Sequence, residues 1–573
     1  MKKALFPKST TLLLLSTLAV GVSASAQDHF GDDKDDKALF PGNLLVSRSV
    51  YDNNPNNVKV GTVLPPNCAS TTGGCSAASG APYDGSYPTV FNNDIYDSNF
   101  GVTSKIYLDQ ITPFGFKINS IEVPNSLQPG VKSWSNQLVT SFSSKSELAL
   151  NLSTDGRYVT FMGYVAPVNA LDVSNSNTLG AVDPTNPVGL TNYRAVASIN
   201  SKGKLTFTET NAYSGNNGRA AILNDSNGAY VYYTSGNAGN GANPQPANIV
   251  LGAGAQFIEP TDVPENVQTP TTPTPLGSFS VTQLGDKADK IGKDDNFRGL
   301  TIFNDVVYFT KGSGGNGVNT VYFVDTTGTA CPKGVGVPAV GAQLPISPLA
   351  YDPSKLATTG LPSNMCILAG FPTALAKTAN PLAAPFGIWF ANADTLYIAD
   401  EGDGYTGGAD LYTHAAAQTA AGLQKWVFNS TTNSWSLAYT LQNGLELGIP
   451  YTVAKYPTGN NPATKLPWAP ATAGLRNLTG HVDHDGHVTL WAVTSTVSGN
   501  GDVGADPNRV VVICDLLKNT DATVAAKEKF DTLRQAGYAE VLRGVSLTPG
   551  SDVAHHRHDY DHGYDHDQDD HDW

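Results

Sequence analysis

Charged residues and long apolar runs are both scarce in this sequence of 573 residues. Asp, Glu, Lys and Arg together make up only 15% of it, whereas a helical protein needs more Lys and Glu for its exposed helix faces. After the first thirty residues, no stretch approaches the roughly 18 uninterrupted apolar residues of a membrane-spanning helix. Lys and Arg number 35 against 50 Asp and Glu, so the basic face that nucleic acid requires is not expected. These shortages exclude a mostly helical protein, a membrane span and a nucleic-acid partner.

The familiar catalytic motifs are missing as well. The sequence has no Gly-x-Ser-x-Gly elbow, His-Glu-x-x-His helix, phosphate-binding loop or dinucleotide fingerprint in a convincing context. No named enzyme class is therefore indicated by a motif.

The first 26 residues have the pattern of a secretory signal peptide. Three lysines precede an apolar run from Leu12 to Val22, and the small residues Ala24 and Ala26 form a cleavage signal. An acidic segment, residues 27–40, follows. The sequence predicts a protein that is secreted or periplasmic.

The abundant residues are those of short strands and tight turns, with Gly 57, Pro 36 and Tyr 24. Paired strands with a polar turn between them recur along the chain, as in "FRGLTIFNDVVYFTKG" and "FGIWFANADTLYIADEG". Two hairpins make a four-stranded sheet, and six such sheets predict an all-β fold over residues 41–550: a single closed β-propeller of six four-stranded blades, with seven possible. The predicted blades span residues 42–125, 146–210, 217–284, 297–370, 385–442 and 475–542.

Two further segments bear on this prediction. "LRGVSLTPG", residues 542–550, repeats the start of "FRGLTIFN", which indicates that the last strand closes the ring by joining the first blade. Residues 520–537 are the one segment that predicts an amphipathic helix.

One blade carries a family resemblance. "PFGIWFANADTLYIADEGDG" followed by "GLQKWVF" resembles an NHL-type propeller repeat, in which Pro-x-Gly-Ile opens the inner strand and Leu-Tyr-x-Ala-Asp closes the second. An insert of about a dozen residues separates the two halves, which departs from the compact repeat. The resemblance implies the propeller fold and says little about function.

Five cysteines in an exported chain invite pairing. We expect Cys68 to pair with Cys75 across a Gly-rich loop, and Cys331 with Cys366. Cys514 falls in the strand-like run "RVVVICDLL", and we expect it to be a buried free thiol.

Arginine recurs at the start of the predicted inner strands. The residues are Arg219, Arg298, Arg476 and Arg543. Since inner strands begin around one mouth of a propeller channel, these arginines would form a ring that binds a small anionic ligand. The alternative is that each arginine pairs with a carboxylate of the next blade and locks the two sheets together.

Asp400, Glu401 and Asp403 end a strand of the predicted fifth blade. They are interpreted either as turn residues that accept backbone N–H bonds, or as ligands of a structural Ca²⁺, or as catalytic groups.

In "HVDHDGHV", His481, His484 and His487 lie beside Asp483 and Asp485. The Asp-Gly pair predicts a solvated hairpin tip, with a metal site as the alternative.

Residues 551–573 form a tail with six His and eight Asp. It lacks the apolar residues of a core, so we expect disorder. The imidazoles of the tail predict weak binding of a divalent transition metal, and a merely solubilising tail is the alternative. The ligands would be His555, His556, His558, His562, His566 and His571.

Two functions remain open. The first is an exported binding or scaffold propeller that takes a small anionic ligand or another protein at the mouth of its channel. The second is a Ca²⁺-dependent hydrolase on the same fold, for instance a lactonase, phosphoesterase or phytase-like enzyme. There the arginines would hold an anionic substrate, and Asp400, Glu401 or Asp403 would hold the metal.

Overall fold

The structure is a computed structural model. It describes residues 37–551 except 63–81, 84, 86–100, 132–136, 142–147, 172, 179–187, 211, 238–253, 261–273, 276–295, 314–316, 332–333, 347–364, 463 and 503. The signal-peptide prediction, the pair Cys68 and Cys75, and all of the tail after Ser551 lie outside these residues.

The regular secondary structure of the described chain is almost entirely β-strand. Its first fourteen strands are β1 (Leu44–Val50), β2 (Thr103–Ile111), β3 (Lys117–Glu122), β4 (Thr140–Ser141), β5 (Asn151–Leu152), β6 (Tyr158–Tyr164), β7 (Ser176–Asn177), β8 (Val188–Thr191), β9 (Arg194–Asn200), β10 (Leu205–Thr210), β11 (Gly218–Asn224), β12 (Val231–Gly236), β13 (Ala255–Ile258) and β14 (Thr274–Pro275). The other fourteen are β15 (Leu300–Phe303), β16 (Val306–Lys311), β17 (Thr320–Val324), β18 (Val335–Gly336), β19 (Met365–Leu368), β20 (Pro385–Asn392), β21 (Thr395–Asp400), β22 (Gly422–Asn429), β23 (Ser434–Leu441), β24 (Ala471–Val482), β25 (His487–Val497), β26 (Arg509–Leu516), β27 (Asp531–Gln535) and β28 (Glu540–Leu547).

These strands form six sheets, which confirms the predicted six-bladed propeller. From the axis outward the blades are β28-β1-β2-β3, β5-β6-β9-β10, β11-β12-β13-β14, β15-β16-β17-β19, β20-β21-β22-β23 and β24-β25-β26-β27, called blades 1 to 6. Two blades have a short extra strand, since β4 pairs with β2 and β18 pairs with β19. The strands β7 and β8 form a separate small ladder.

The ring is closed by strands from the two ends of the described chain. Each inner strand touches the next around the axis, in the order β28, β5, β11, β15, β20, β24 and back to β28. Within blade 1, β28 pairs antiparallel with β1, from Leu44 opposite Leu547 to Val50 opposite Glu540. The predicted closure is therefore confirmed. It removes the sheet edge that an open ring would expose.

Hydroxyl groups join neighbouring blades near the axis. A Ser or Thr on the second strand of one blade donates to a backbone carbonyl of the next blade's inner-strand segment. The contacts are Ser47 to Leu148 O at 2.7 Å, Thr160 to Ala221 O at 2.5 Å, Ser235 to Arg298 O at 3.3 Å and Thr310 to Phe386 O at 2.5 Å. The backbones of neighbouring blades also lie close together near the axis. A Cβ added to Gly387 in blade 5 would lie 2.4 Å from Arg476 O in blade 6. We call these contacts the inter-blade hydroxyl bonds.

Two short helices, α1 (Leu411–Ala417) and α2 (Ala522–Ala525), accompany the strands. Among the described residues, neither helix is long and apolar enough to cross a membrane. The helix predicted over residues 520–537 is wrong. Only α2 is helical there, and Asp531–Gln535 pairs with β26 as the outer strand of blade 6, so pairing overrides the local helix propensity.

Candidate functional site

The predicted arginine positions share one structural feature, a β-bulge in the inner strand or just before it. Arg476 and Arg543 lie within β24 and β28, so the prediction that they begin the inner strands was wrong. Arg219, Arg476 and Arg543 each lie where the register with the second strand shifts. In blade 4 the Arg298 N–H donates to Thr310 O and the Thr310 N–H donates to Gly299 O, so two residues of the inner-strand segment lie opposite one residue of the second strand. In blade 5 the bulge residue is Phe386. A bulge turns its side chain out of the regular alternation, so these side chains lie at equivalent places around the start of the channel.

Two of these arginines share one carboxylate. Glu401 Oε1 lies 3.4 Å from Arg298 Nη2, and Glu401 Oε2 lies 3.1 Å from Arg476 Nε. The Phe386 ring lies near both guanidinium groups, with its centroid 5.7 Å from Arg298 Cζ and 5.4 Å from Arg476 Cζ. All three charged residues are buried. This arrangement ties blades 4, 5 and 6 together, as the structural interpretation of the arginines expects.

The other two arginines donate hydrogen bonds to neutral groups of the described chain. Arg219 Nη1 donates to Asn296 Oδ1 and, at 3.0 Å, to the backbone oxygen of Phe297. Arg543 Nε donates to Ser49 Oγ at 3.3 Å. Both side chains are buried. The four predicted ligand-binding arginines therefore lie on the same end of the channel, each in contact with the protein.

The predicted calcium ligands point to different partners. Asp400 is fully buried and accepts from the backbone N–H of Ala384 at 2.8 Å and of Gly402 at 2.9 Å. Burial raises the pKa of Asp400 to about 7, although these two N–H groups lower it. Glu401 binds the arginines, while Asp403 faces away towards α1. The arrangement of Asp400 is that of a turn residue.

Asp403 forms a cluster that the sequence did not predict. Its carboxylate lies 2.7 Å from His414 Nε2 and accepts from Gln418 Nε2 at 3.0 Å. The Tyr405 ring lies 4.1 Å from the His414 ring, and the Tyr405 hydroxyl donates to Asp410 at 2.6 Å. The His414 side chain is one-third exposed. The signal was weak, because His414 lies eleven residues beyond Asp403 on a separate short helix.

The "HVDHDGHV" segment is a hairpin tip, as predicted. Asp483 accepts from the backbone N–H of His487 at 2.8 Å and of Asp485 at 3.0 Å, and all three side chains are exposed. His487 Nδ1 lies 3.1 Å from Asp483 Oδ2. The hydrogen bonds of Asp483 shape the turn between β24 and β25.

The end of the channel opposite the arginines contains a cavity of about 120 Å³. All six blades line it, each with the far end of its inner strand or the segment beside it. The lining includes Asn151, Thr154, Ile222, Thr301, Trp389, Thr479, His481 and Ser546. No Asp, Glu, Lys or Arg is among the described residues that line this cavity. This cavity was not predicted from the sequence, because the ligand was expected where the inner strands begin.

Trp389 is the largest side chain in this cavity. Its indole lies against the backbone of Gly480, where an added Cβ would come within 2.8 Å of the ring carbons. The ring of Tyr397 supports it at 6.1 Å. Trp389 remains partly exposed, so part of the indole faces the cavity. His481 lies at the rim, where it is exposed to solvent.

The described cysteines confirm one expectation and correct another. Cys331 and Cys366 form a disulfide. Cys514 is a free thiol, as expected, but the expectation that it is buried was wrong, because its side chain is exposed. Cys514 lies on β26, where alternate side chains leave the sheet on opposite faces, and its face is the open one.

Comparisons with known proteins leave the family open. No family model and no curated protein sequence matches this chain, so the NHL resemblance stays a prediction. Among solved structures, a polysaccharide lyase described as an ulvan lyase matches with 11% identity and a TM-score of 0.29, over 84% of this chain and 96% of that one. Prolyl oligopeptidase B from Galerina marginata matches with 7% identity and a TM-score of 0.24, over 78% of this chain and 51% of that one. At these TM-scores neither likeness supports a function.

Proposed function

We propose that this protein is an exported binding propeller that takes a small neutral polar ligand in the channel cavity lined by Trp389. The observation that carries the proposal is the convergence of all six blades on one cavity with no Asp, Glu, Lys or Arg among its described lining residues. Ligand sites are typically concave and combine apolar or aromatic walls with a few polar groups.

The lining residues support a neutral polar ligand. Thr301, Thr479 and Asn151 line the cavity beside Trp389. Hydroxyl and amide groups both donate and accept hydrogen bonds, and an indole packs on flat apolar faces. A closed cavity of about 150 Å³ accommodates benzene, so the 120 Å³ here would take part of one ring, with the rest of the ligand at the solvent-exposed rim beside His481. A neutral sugar ring has this combination of hydroxyl groups and C–H faces.

The arginine end supports the structural interpretation better than a ligand site. Arg298 and Arg476 share Glu401, and the charge of Asp502 also acts on Arg298, so buried carboxylates of the protein already offset these guanidinium charges. Asp400, Glu401 and Asp403 bind separate partners, whereas Ca²⁺ needs six to eight converging oxygens. These contacts favour a binding protein over the Ca²⁺-dependent hydrolase.

Export is supported by two features. The first 26 residues have the signal-peptide pattern, and the Cys331–Cys366 disulfide fits the oxidising conditions outside the cytoplasm.

Thermal unfolding with added ligands tests the proposal. The probes are three neutral monosaccharides (glucose, galactose and N-acetylglucosamine) and the anions glucuronate and phosphate. Each is added at about 10 mM, so that a ligand with a weak Kd still shifts the Tm. We expect at least one neutral sugar to raise the Tm and the anions to leave it unchanged. Thr301→Val should abolish the shift, because it removes a lining hydroxyl at nearly constant volume.

Thr326→Val is the matched control, since Thr326 is a partly exposed residue of the same blade and its hydroxyl donates to Gln343 O at 3.2 Å, away from the cavity. A Tm raised by phosphate or glucuronate, and unaffected by Thr301→Val, would contradict the proposal and return the ligand to the arginine end.

A further inference from the structure

An apolar groove runs between blades 6 and 1 on the face that carries the channel cavity. Its volume is about 800 Å³, and its walls include Pro113, Phe114, Trp491, Val512, Leu533 and Leu547. The Trp491 indole is held in place because its Nε1 donates to Pro113 O at 3.1 Å. Phe114 is 78% exposed. We call this the blade 6–1 groove. An exposed apolar surface of this kind marks a binding site for another segment or molecule.

The described chain ends in the wall of this groove. Gly550 and Ser551 line it, and hydrogen bonds fix both residues: the Gly42 N–H donates to Ser551 Oγ at 2.9 Å, and the Gly550 N–H donates to Gly156 O at 2.7 Å. The 22 residues after Ser551, from 552 to 573, therefore begin beside the groove.

These 22 residues include side chains that suit the groove. Between their Asp and His residues stand Val553, Tyr560, Tyr564 and Trp573. Tyr560 is nine residues beyond Ser551, and an extended chain spans about 3.3 Å per residue, so it reaches every part of the groove. Attachment also gives the segment an effective concentration on the order of millimolar, so weak contacts suffice. Tyr and Trp can bury the ring while the polar end and neighbouring Asp residues stay in water.

We propose that the tail, residues 552–573, docks in the blade 6–1 groove through its aromatic side chains. Docking of single rings needs no secondary structure in the tail. His481 and Leu547 line both the groove and the channel cavity, so the docked tail lies beside the entrance to the cavity. The inference does not rest on the neutral-ligand proposal, because the groove and the chain's exit point stand without it.

Cys514 provides a reporter, since this exposed free thiol lines the groove. The rate of its alkylation by iodoacetamide is measured by mass spectrometry of its peptide, in the full chain and in a chain that ends at Ser551. We expect the full chain to react at least fivefold more slowly. A synthetic peptide of residues 552–573 should restore slow alkylation to the truncated chain. Equal rates in the two chains would overturn the proposal.

Two phenylalanines of the same turn give a matched pair of variants. Phe114 lines the groove, whereas Phe116 is similarly exposed at 74% and does not line it. In the full chain, Phe114→Ala should raise the alkylation rate to that of the truncated chain, and Phe116→Ala should not. Loss of protection in both variants, or in neither, would overturn the proposal. Protection that grows with protein concentration would overturn it too, because a second copy would then occupy the groove.

Discussion

At the scale of single residues, the carboxylate of Asp109 is the centre of a buried ion-pair network. Its side chain is fully buried and lies 2.7 Å from Arg48 Nε and 2.6 Å from Arg534 Nη1. Arg48 Nη1 in turn lies 2.7 Å from Glu540 Oε1. These residues belong to β1, β2, β27 and β28. The network therefore joins the closing strand to blade 1 and blade 1 to blade 6.

This network gives the stability a defined pH dependence. Burial raises the pKa of Asp109, but the hydrogen bond from Arg48 and the charges of Arg534 and Arg48 outweigh burial and hold that pKa well below its usual range. The folded-state pKa is lower than the unfolded one. Asp109 therefore stabilises the fold above about pH 4, and this contribution is lost as the pH falls further.

We predict that Asp109→Asn lowers the free energy of unfolding at pH 7 by about 3 to 5 kcal/mol, because it leaves buried guanidinium groups without their carboxylate. Urea unfolding at pH 7 and pH 3 measures the effect, which should be smaller at pH 3. Asp483→Asn, at the exposed hairpin tip, is the control and should change little. An Asp109→Asn effect of equal size at both pH values would contradict the depressed pKa.

At this scale the sequence predicted where individual side chains lie better than it predicted which groups they contact. The "FRG", "LRN" and "LRG" motifs located three inner-strand arginines because the local pattern repeats from blade to blade. That Glu401 joins Arg298 to Arg476 was not predictable, since it depends on strands about 75 to 100 residues apart meeting around the axis. The exposure of Cys514 likewise depends on which face of β26 the neighbouring blade covers.

At the scale of strands and turns, the inter-blade hydroxyl bonds connect one sheet to the next. The Thr310 hydroxyl on β16 donates to Phe386 O at the start of β20. Both groups are buried. Where the hydroxyl is removed, the carbonyl stays buried without this donor, which costs about 1 to 3 kcal/mol.

We therefore predict that Thr310→Val lowers the free energy of unfolding by about 1 to 3 kcal/mol, with a similar loss for Ser47→Ala. Chemical denaturation monitored by tryptophan fluorescence measures both. Thr431→Val, in the exposed turn between β22 and β23, should change stability by less than about 0.5 kcal/mol. Equal effects of Thr310→Val and Thr431→Val would show that these bonds do not hold the blades together.

Hairpins were the elements that the sequence predicted best, because turn residues and strand alternation are local. The Asp485-Gly486 pair turns where its motif indicated. The segment at residues 520–537 failed for the opposite reason. Its helix propensity is local, while Asp531–Gln535 gains backbone pairing with β26 only after blade 6 has formed.

At the scale of the whole molecule, β28 is the innermost strand of blade 1 and the last strand of the described residues. Truncation after Val541 removes most of it and exposes the edge of β1. We predict that this truncation lowers the Tm by more than about 10 °C or causes aggregation, whereas truncation after Ser551 leaves the Tm nearly unchanged. Differential scanning calorimetry compares the two. The same Tm for both truncated chains would contradict the importance of closure.

The tail carries a separate prediction. We expect residues 552–573 to bind Zn²⁺ weakly, because six imidazoles offer ligands but ordering the chain costs about 1 to 2 kcal/mol per residue. Binding should be lost as the pH falls through about 6, where free imidazoles take up protons. Calorimetry of the full chain and of the chain ending at Ser551 tests this. Equal heats of Zn²⁺ binding to the two chains would contradict a site in the tail and place the metal in the folded ring.

The pairing of β1 with β28 also sets the earliest time during synthesis at which the ring can close. Leu44 and its partner Leu547 are 503 residues apart, from 547 − 44. At about 5 to 20 residues per second, a ribosome makes Leu547 roughly 25 to 100 s after Leu44. During that interval the first blade lacks its innermost strand, and β1 presents an unpaired edge to every other chain nearby. The nascent chain must therefore avoid association through this edge until β28 has been made and the ring can close.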